Sequence, residues 1–105
     1  MSKIWCFDCD NTLCITQGTD YVNSKPDYGI IEKINKLYEQ GNTIKIFTGR
    51  GSLSGRDWRE LTEKQLKEWG VKYHQLLLNK PPYDVFIDDL AYNVKEFRVK
   101  ENPSF

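Results

Sequence analysis

Ile4-Trp5-Cys6-Phe7-Asp8-Cys9-Asp10-Asn11 is the stretch on which the fold turns. A short apolar run stops abruptly at two carboxylates and an amide, as a fully buried strand does when it delivers polar groups to the edge of a sheet. Downstream, residues 14–25 are polar, carry Gly18 and keep no period, which predicts a loop or small flap. Ser24 and Pro26 then announce a helix, whose apolar positions Ile30, Ile31, Ile34, Leu37 and Tyr38 recur every three or four residues until Gly41. Residues 43–47 return to β-branched and aromatic character and break at Thr48-Gly49-Arg50-Gly51. A second helix, capped from Ser54 or Asp57, sets Trp58, Leu61, Leu66 and Trp69 against Glu60, Glu63, Lys64 and Lys67 on its other face, and ends at Gly70. Residues 73–78 read as a third strand, 84–87 as a fourth and 90–97 as a short helical segment. Strands alternating with helices imply parallel pairing through right-handed crossovers, hence a three-layer α/β/α sandwich.

Size and composition agree with one such layered unit. A chain of 105 residues buries about two thirds of its surface on folding, enough for a single domain spanning 1–105 with one modest core. Fifteen basic residues balance fifteen acidic ones and form no basic block, so a nucleic-acid partner is not expected. The longest aliphatic run, Leu76-Leu77-Leu78, is far short of a membrane span, and Met1-Ser2-Lys3 leads into Trp5 without a signal-like apolar segment; a cytoplasmic protein is expected. Three cysteines crowded at 6, 9 and 14 do not make a framework of paired bridges, so reduced thiols are the default.

In a sheet of this kind the ligand site lies beyond the carboxyl ends of the strands. Asp8 and Asp10 end the first strand, Thr48 and Gly49 the second, Asn79 and Lys80 the third, and Asp88 and Asp89 the fourth. Converging carboxylates repel unless a hard divalent cation joins them, which points to Mg²⁺ held by Asp8, Asp10, Asp88 and Asp89. A phosphorylated substrate completes the charge balance. Asp8 is then placed to attack phosphorus, and Asp10 to protonate the leaving alkoxide and later activate water. The Thr48 hydroxyl, the backbone around Gly49 and the Lys80 ammonium hold the phosphoryl oxygens, and Arg50 and Arg56 are in a position to grip substrate anions bidentately.

Asp8-Cys9-Asp10-Asn11-Thr12-Leu13 resembles the first motif of the haloacid dehalogenase (HAD) superfamily of phosphohydrolases. Phe47-Thr48-Gly49-Arg50 resembles its second motif, Lys80 its third and Phe86-Ile87-Asp88-Asp89 its fourth, in the right order over residues 4–93. The resemblance implies a mainly parallel, Rossmann-like sheet and a phosphatase working through an aspartyl phosphate. It implies Asp8 as nucleophile, Asp10 as acid/base and backbone ligand, Thr48 and Lys80 as phosphate holders, and Asp88 as a metal ligand, with Asp89 a ligand or its neighbour. No insertion large enough for a cap domain follows the first motif or separates the second from the third. The chain resembles the capless members, whose open sites take large substrates or are closed by other subunits. A small sugar phosphate is the expected substrate, with a nucleotide or nucleic-acid end as the alternative, and an open site leaves room for a homo-oligomer.

A rival of another class is a phospho-accepting receiver, which also uses an acidic cluster, a Thr and a Lys. Receivers carry the accepting Asp after the third strand, where this chain has Asn79-Lys80, so order argues against that reading. A non-catalytic regulatory domain is the remaining alternative, and every motif position is filled. Cys6-x-x-Cys9 lacks a second pair or a histidine cluster, so a metal knuckle is not expected there, although Cys9 could bridge to Cys14 or Cys6 on oxidation. His74, the only histidine, is expected to pack or to hydrogen-bond at the start of its strand.

Overall fold

The computed structural model describes residues 2–99; Met1 and residues 100–105, the ends of the span read as one domain, lie outside the described residues. Strand β1 (Ile4–Phe7) leads through a tight turn into a two-stranded antiparallel ribbon, β2 (Cys14–Ile15) with β3 (Lys25–Pro26), whose connection contains a 3-10 turn at Tyr21–Asn23. Helix α1 (Tyr28–Glu39), strand β4 (Thr43–Phe47), helix α2 (Arg59–Glu68), strand β5 (Gln75–Leu77) and helix α3 (Val94–Val99) follow. The main sheet is parallel, in the order β1-β4-β5, with Trp5 beside Ile44, Phe7 beside Ile46, and Ile46 beside Leu76. Each parallel step is bridged by a helix, because a strand that must run the same way as its neighbour needs the chain carried back first.

The register explains where the core sits. Phe7, Ile44, Ile46 and Leu76 are buried and share one cluster with Ile30, Ile31, Ile34 and Leu37 of α1, Leu66 of α2 and Phe97 of α3. Alternate strand residues point the other way, and there Ile4, Cys6 and Gln75 are exposed and Lys45, Phe47 and Leu77 only half-buried. The described residues thus form an α/β fold whose core lies against one face of a three-stranded parallel sheet. Phe97 packs edge-on against Phe7, with ring centroids 5.3 Å apart, and Trp5 stacks along Phe7 at 6.3 Å.

Helix α1 starts from Asp27, not from Ser24 or Pro26. The Asp27 carboxylate accepts from the Ile30 N–H, and Pro26 belongs to β3 instead. Helix α2 has no side-chain cap at Trp58; Asp57 accepts from the Arg59 N–H two residues on. The third strand is shorter than 73–78, because at its start the Ile44 N–H is taken by the side chain of the exposed His74 instead of by a backbone carbonyl: Nδ1 accepts from it at 3.0 Å, and the ring stacks on Tyr38 at 4.6 Å.

Residues 84–87 form no strand. Val85, Phe86 and Ile87 are 73%, 53% and 91% exposed, on an irregular segment that follows Pro81 and Pro82. The apolar run has β character, but a strand needs a neighbouring strand, and this one has none among the described residues. The helical segment expected over 90–97 is confined to α3, at Val94–Val99.

Candidate active site

Three of the four expected strand ends do deliver polar groups. Asp8 follows β1 directly, its Oδ1 accepting from the Cys9 N–H at 2.8 Å. Thr48 follows β4, fully buried; its N–H donates to the Leu77 carbonyl, its own carbonyl accepts from the Lys80 N–H, and its hydroxyl accepts from the Arg50 N–H at 3.2 Å. These bonds zip the ends of β4 and β5 together. Asn79 adopts a left-handed φ of 65°, turning the chain so that Lys80 comes back over the sheet edge. The Lys80 Nζ lies 3.8 Å from Asp8 Oδ2, and a side chain at Gly49 would press on the Lys80 carbonyl at 3.2 Å, so glycine lets the two segments close up. Ser52, which the sequence reading passes over, donates to the carbonyls of both Gly49 and Lys80 and pins that closure.

Burial raises the Asp8 pKa from its ordinary value, against the opposing pull of Lys80 and of the Cys9 N–H. A carboxylate whose hydration is reduced while a cation stands beside it is a competent nucleophile toward an anionic phosphoryl group, because the cation offsets repulsion as the two approach.

Asp10 is placed differently. Arg50 turns inward, its side chain wholly buried, and binds Asp10 through Nη2 at 2.8 Å and Nε at 3.1 and 3.3 Å. Its Nη1 donates to Thr62 Oγ1 and Gln65 Oε1, its Nη2 also to Ser24 Oγ, and its guanidinium lies 4.8 Å over the Tyr21 ring. The Arg50 donors are therefore engaged inside the protein and are not free for the expected bidentate grip on a substrate anion. Thr16 donates to Asp10 Oδ1 at 2.6 Å, and Cys14 Sγ lies 3.6 Å from the same oxygen. The sequence signal for this network is Thr62 and Gln65, two polar residues on the buried stripe of α2 beside Leu66.

The expected Mg²⁺ cage is not gathered in this arrangement. Asp88 accepts from the Leu90 N–H, and Asp88 and Asp89 sit exposed on the irregular segment. Among the described residues, one group of three or more acidic, thiol or imidazole side chains brings its ligand atoms within 4.8 Å of one another: Cys9, Asp10 and Cys14. Two thiols are not a donor set for a hard cation. Beside the strand ends, a cleft is lined by Arg50, Arg56, Asp57, Trp58, Leu78 and Asn79, where the Arg56 guanidinium lies 4.3 Å over the Trp58 ring. No helix of the described residues is long and apolar enough to cross a membrane.

Searches for a matching family model and for a matching curated protein returned none. Among solved structures, the chain is similar to a structural-genomics target from Vibrio cholerae, with 27% identity and a TM-score of 0.82 over 97% of this chain and 91% of that one. It also resembles a chain of the Pnkp1/Rnl/Hen1 complex at 24% identity and a TM-score of 0.59, spanning 35% of that chain. A further structure of this complex, described as an RNA repair complex, gives 20% identity and a TM-score of 0.58, with 32% of that chain covered. The comparisons support an α/β fold.

Proposed function

We propose that the protein is a phosphomonoester hydrolase in which Asp8 attacks phosphorus. The observation that carries this reading is the Asp8–Lys80 pair, 3.8 Å apart at the carboxyl ends of parallel strands, with Thr48 and Gly49 just past the end of β4, the strand between them. Asp8 Oδ2 forms a bond to phosphorus as the ester oxygen leaves, and water then cleaves the aspartyl phosphate to release inorganic phosphate. Lys80 offsets the charge of the phosphoryl oxygens in both steps. Asp10 has both oxygens on Arg50, so transferring a proton to or from the leaving group or water requires it to exchange one of those bonds. The finer fold assignment, a HAD-like three-layer domain without a cap, belongs to the same proposal and rests on the motif order and on the β1-β4-β5 strand order.

The leaving group points toward the open cleft at Arg56 and Trp58, where a small sugar phosphate or a nucleotide finds a cation and an indole face. A second reading, a phosphorylated nucleic-acid end, takes its interest from the RNA repair complex that contains a similar fold. Phosphate release is measured from sugar phosphates, nucleotides, an aryl phosphate and 3′- or 5′-phosphorylated oligonucleotides, with and without Mg²⁺. Release that falls more than roughly a thousandfold in Asp8→Asn supports the reading. Release that survives Asp8→Asn, or none from any compound by the folded protein, overturns it.

A further inference from the structure

We infer that Cys9, Cys14 and Asp10 form a binding site for one thiophilic divalent cation of the Zn²⁺ type. The site shares Asp10 with the Mg²⁺ set expected of the acidic motifs but takes its other donors from thiols, and it does not depend on the hydrolase reading. Cys9 Sγ and Cys14 Sγ lie 4.0 Å apart, and Asp10 Oδ1 lies 3.6 Å from Cys14 Sγ. A tetrahedral Zn²⁺ with its usual bond lengths sets two sulfurs about 3.8 Å apart and a sulfur and an oxygen about 3.5 Å apart. Two of the three pairs already stand at nearly that spacing, and all three ligand atoms lie within 4.8 Å of one another. Thr16 Oγ1 lies 3.6 Å from Cys14 Sγ and 2.6 Å from Asp10 Oδ1, and it or a water supplies the fourth ligand.

The backbone fixes this geometry without a metal. The Cys9 carbonyl accepts the N–H groups of Thr12, Leu13 and Cys14, and Asn11 takes a left-handed φ of 62°, so the chain folds back and brings residue 14 over residue 9. Both thiols are buried, and Asp10 Oδ1 already accepts from Arg50 Nη2 and from Thr16 Oγ1, so a cation bound at that oxygen takes the place of the Thr16 hydrogen bond. Charge balances as well: two thiolates and a carboxylate against Arg50 and a divalent cation leave the cluster neutral, which a buried site requires. Binding therefore replaces two thiol hydrogens with one cation; the two protons go to solvent, and the aqua ion loses water as its bonds to sulfur and oxygen form. The soft donors explain the choice of metal, since thiolates select Zn²⁺ over Mg²⁺ or Ca²⁺.

The test uses reduced full-length protein and Co²⁺, Zn²⁺ and Mg²⁺ as probes. Expected are one bound Zn²⁺ per chain by native mass spectrometry, release of two protons per ion, and tetrahedral Co²⁺ bands with thiolate charge transfer. Affinity falls at least tenfold in Cys9→Ser and Cys14→Ser and is unchanged in Cys6→Ser, whose thiol lies on the exposed strand face. Because a core cysteine variant can misfold, the proton count and the Co²⁺ spectrum are read on the unaltered protein. Octahedral Co²⁺ without thiolate bands, binding that persists in folded Cys14→Ser, or no stoichiometric Zn²⁺ on the reduced chain overturns the inference.

Discussion

Arg50 places all its donor groups inside the molecule, on Asp10, Ser24, Thr62 and Gln65. Removing one partner of a buried pair leaves the other charged and uncompensated, so Arg50→Met is expected to lower stability by about 3–5 kcal/mol in urea unfolding. Asp10→Asn in that background recovers part of the loss, and the double-mutant cycle measures the coupling. Arg56 is the contrasting case, an exposed guanidinium over Trp58 in the open cleft. If the leaving group binds there, Arg56→Ala raises KM several-fold and leaves kcat nearly unchanged, the signature of lost uniform binding, in steady-state assays of whichever substrate the panel selects. The sequence spacing treats these two arginines alike. What separates them is the inward path of the chain at residue 50 and the polar pair on α2 that receives it, and this is a tertiary fact. Asp8, Thr48 and Lys80 were legible because each directly follows, or nearly follows, a strand whose hydrophobic run ends sharply.

At the level of elements, α3 is joined to α1 through the Arg98 guanidinium, 2.7 Å from Asp27, the carboxylate that caps α1. The hydrogen bond from Arg98, with help from the Ile30 N–H, holds Asp27 below its ordinary pKa of 3.8. A depressed carboxyl stabilises the folded state above its unfolded pKa and loses that contribution as pH falls through the folded value. Stability is therefore expected to decline below pH 3.8 in part through Asp27, and Arg98→Gln should flatten that portion of the unfolding-versus-pH curve. Gly51 marks the other junction: its φ is 84° and a Cβ there would overlap the Arg56 carbonyl. Gly51→Ala should cost more than about 1 kcal/mol in urea unfolding, since the loop between β4 and α2 must shift. The edges of β1 and β4 were readable to the residue, because β-branched and aromatic runs bounded by polar turns leave little choice. The start of α1 was not, because Ser24, Pro26 and Asp27 are all plausible caps and only the Ile30 N–H decides among them.

The described residues are packed unevenly. One sheet face is packed by helices, whereas the segment 81–93 has no regular structure and exposes Tyr83, Val85, Phe86, Ile87, Leu90 and Tyr92. Chymotrypsin at low ratio is expected to nick there before any site in β4 or α1, with mass spectrometry locating the cut. Parallel α/β organisation was legible from alternating periodicities. The fourth strand was misread because local pattern reports the capacity to pair, and pairing is decided by a distant neighbour. The same dependence on distance sets how the sheet itself comes together. Ile4 pairs with Thr43 and Lys45 with Gln75, so every ladder bond of the parallel sheet closes a loop tens of residues long, and the short β2–β3 ribbon lies outside that sheet. Chain entropy must be lost before those contacts return anything, which slows folding relative to a helical bundle of similar size. Residues 8, 48 and 80 come together only when both ladders are complete, making their proximity a late event in the life of a newly made chain.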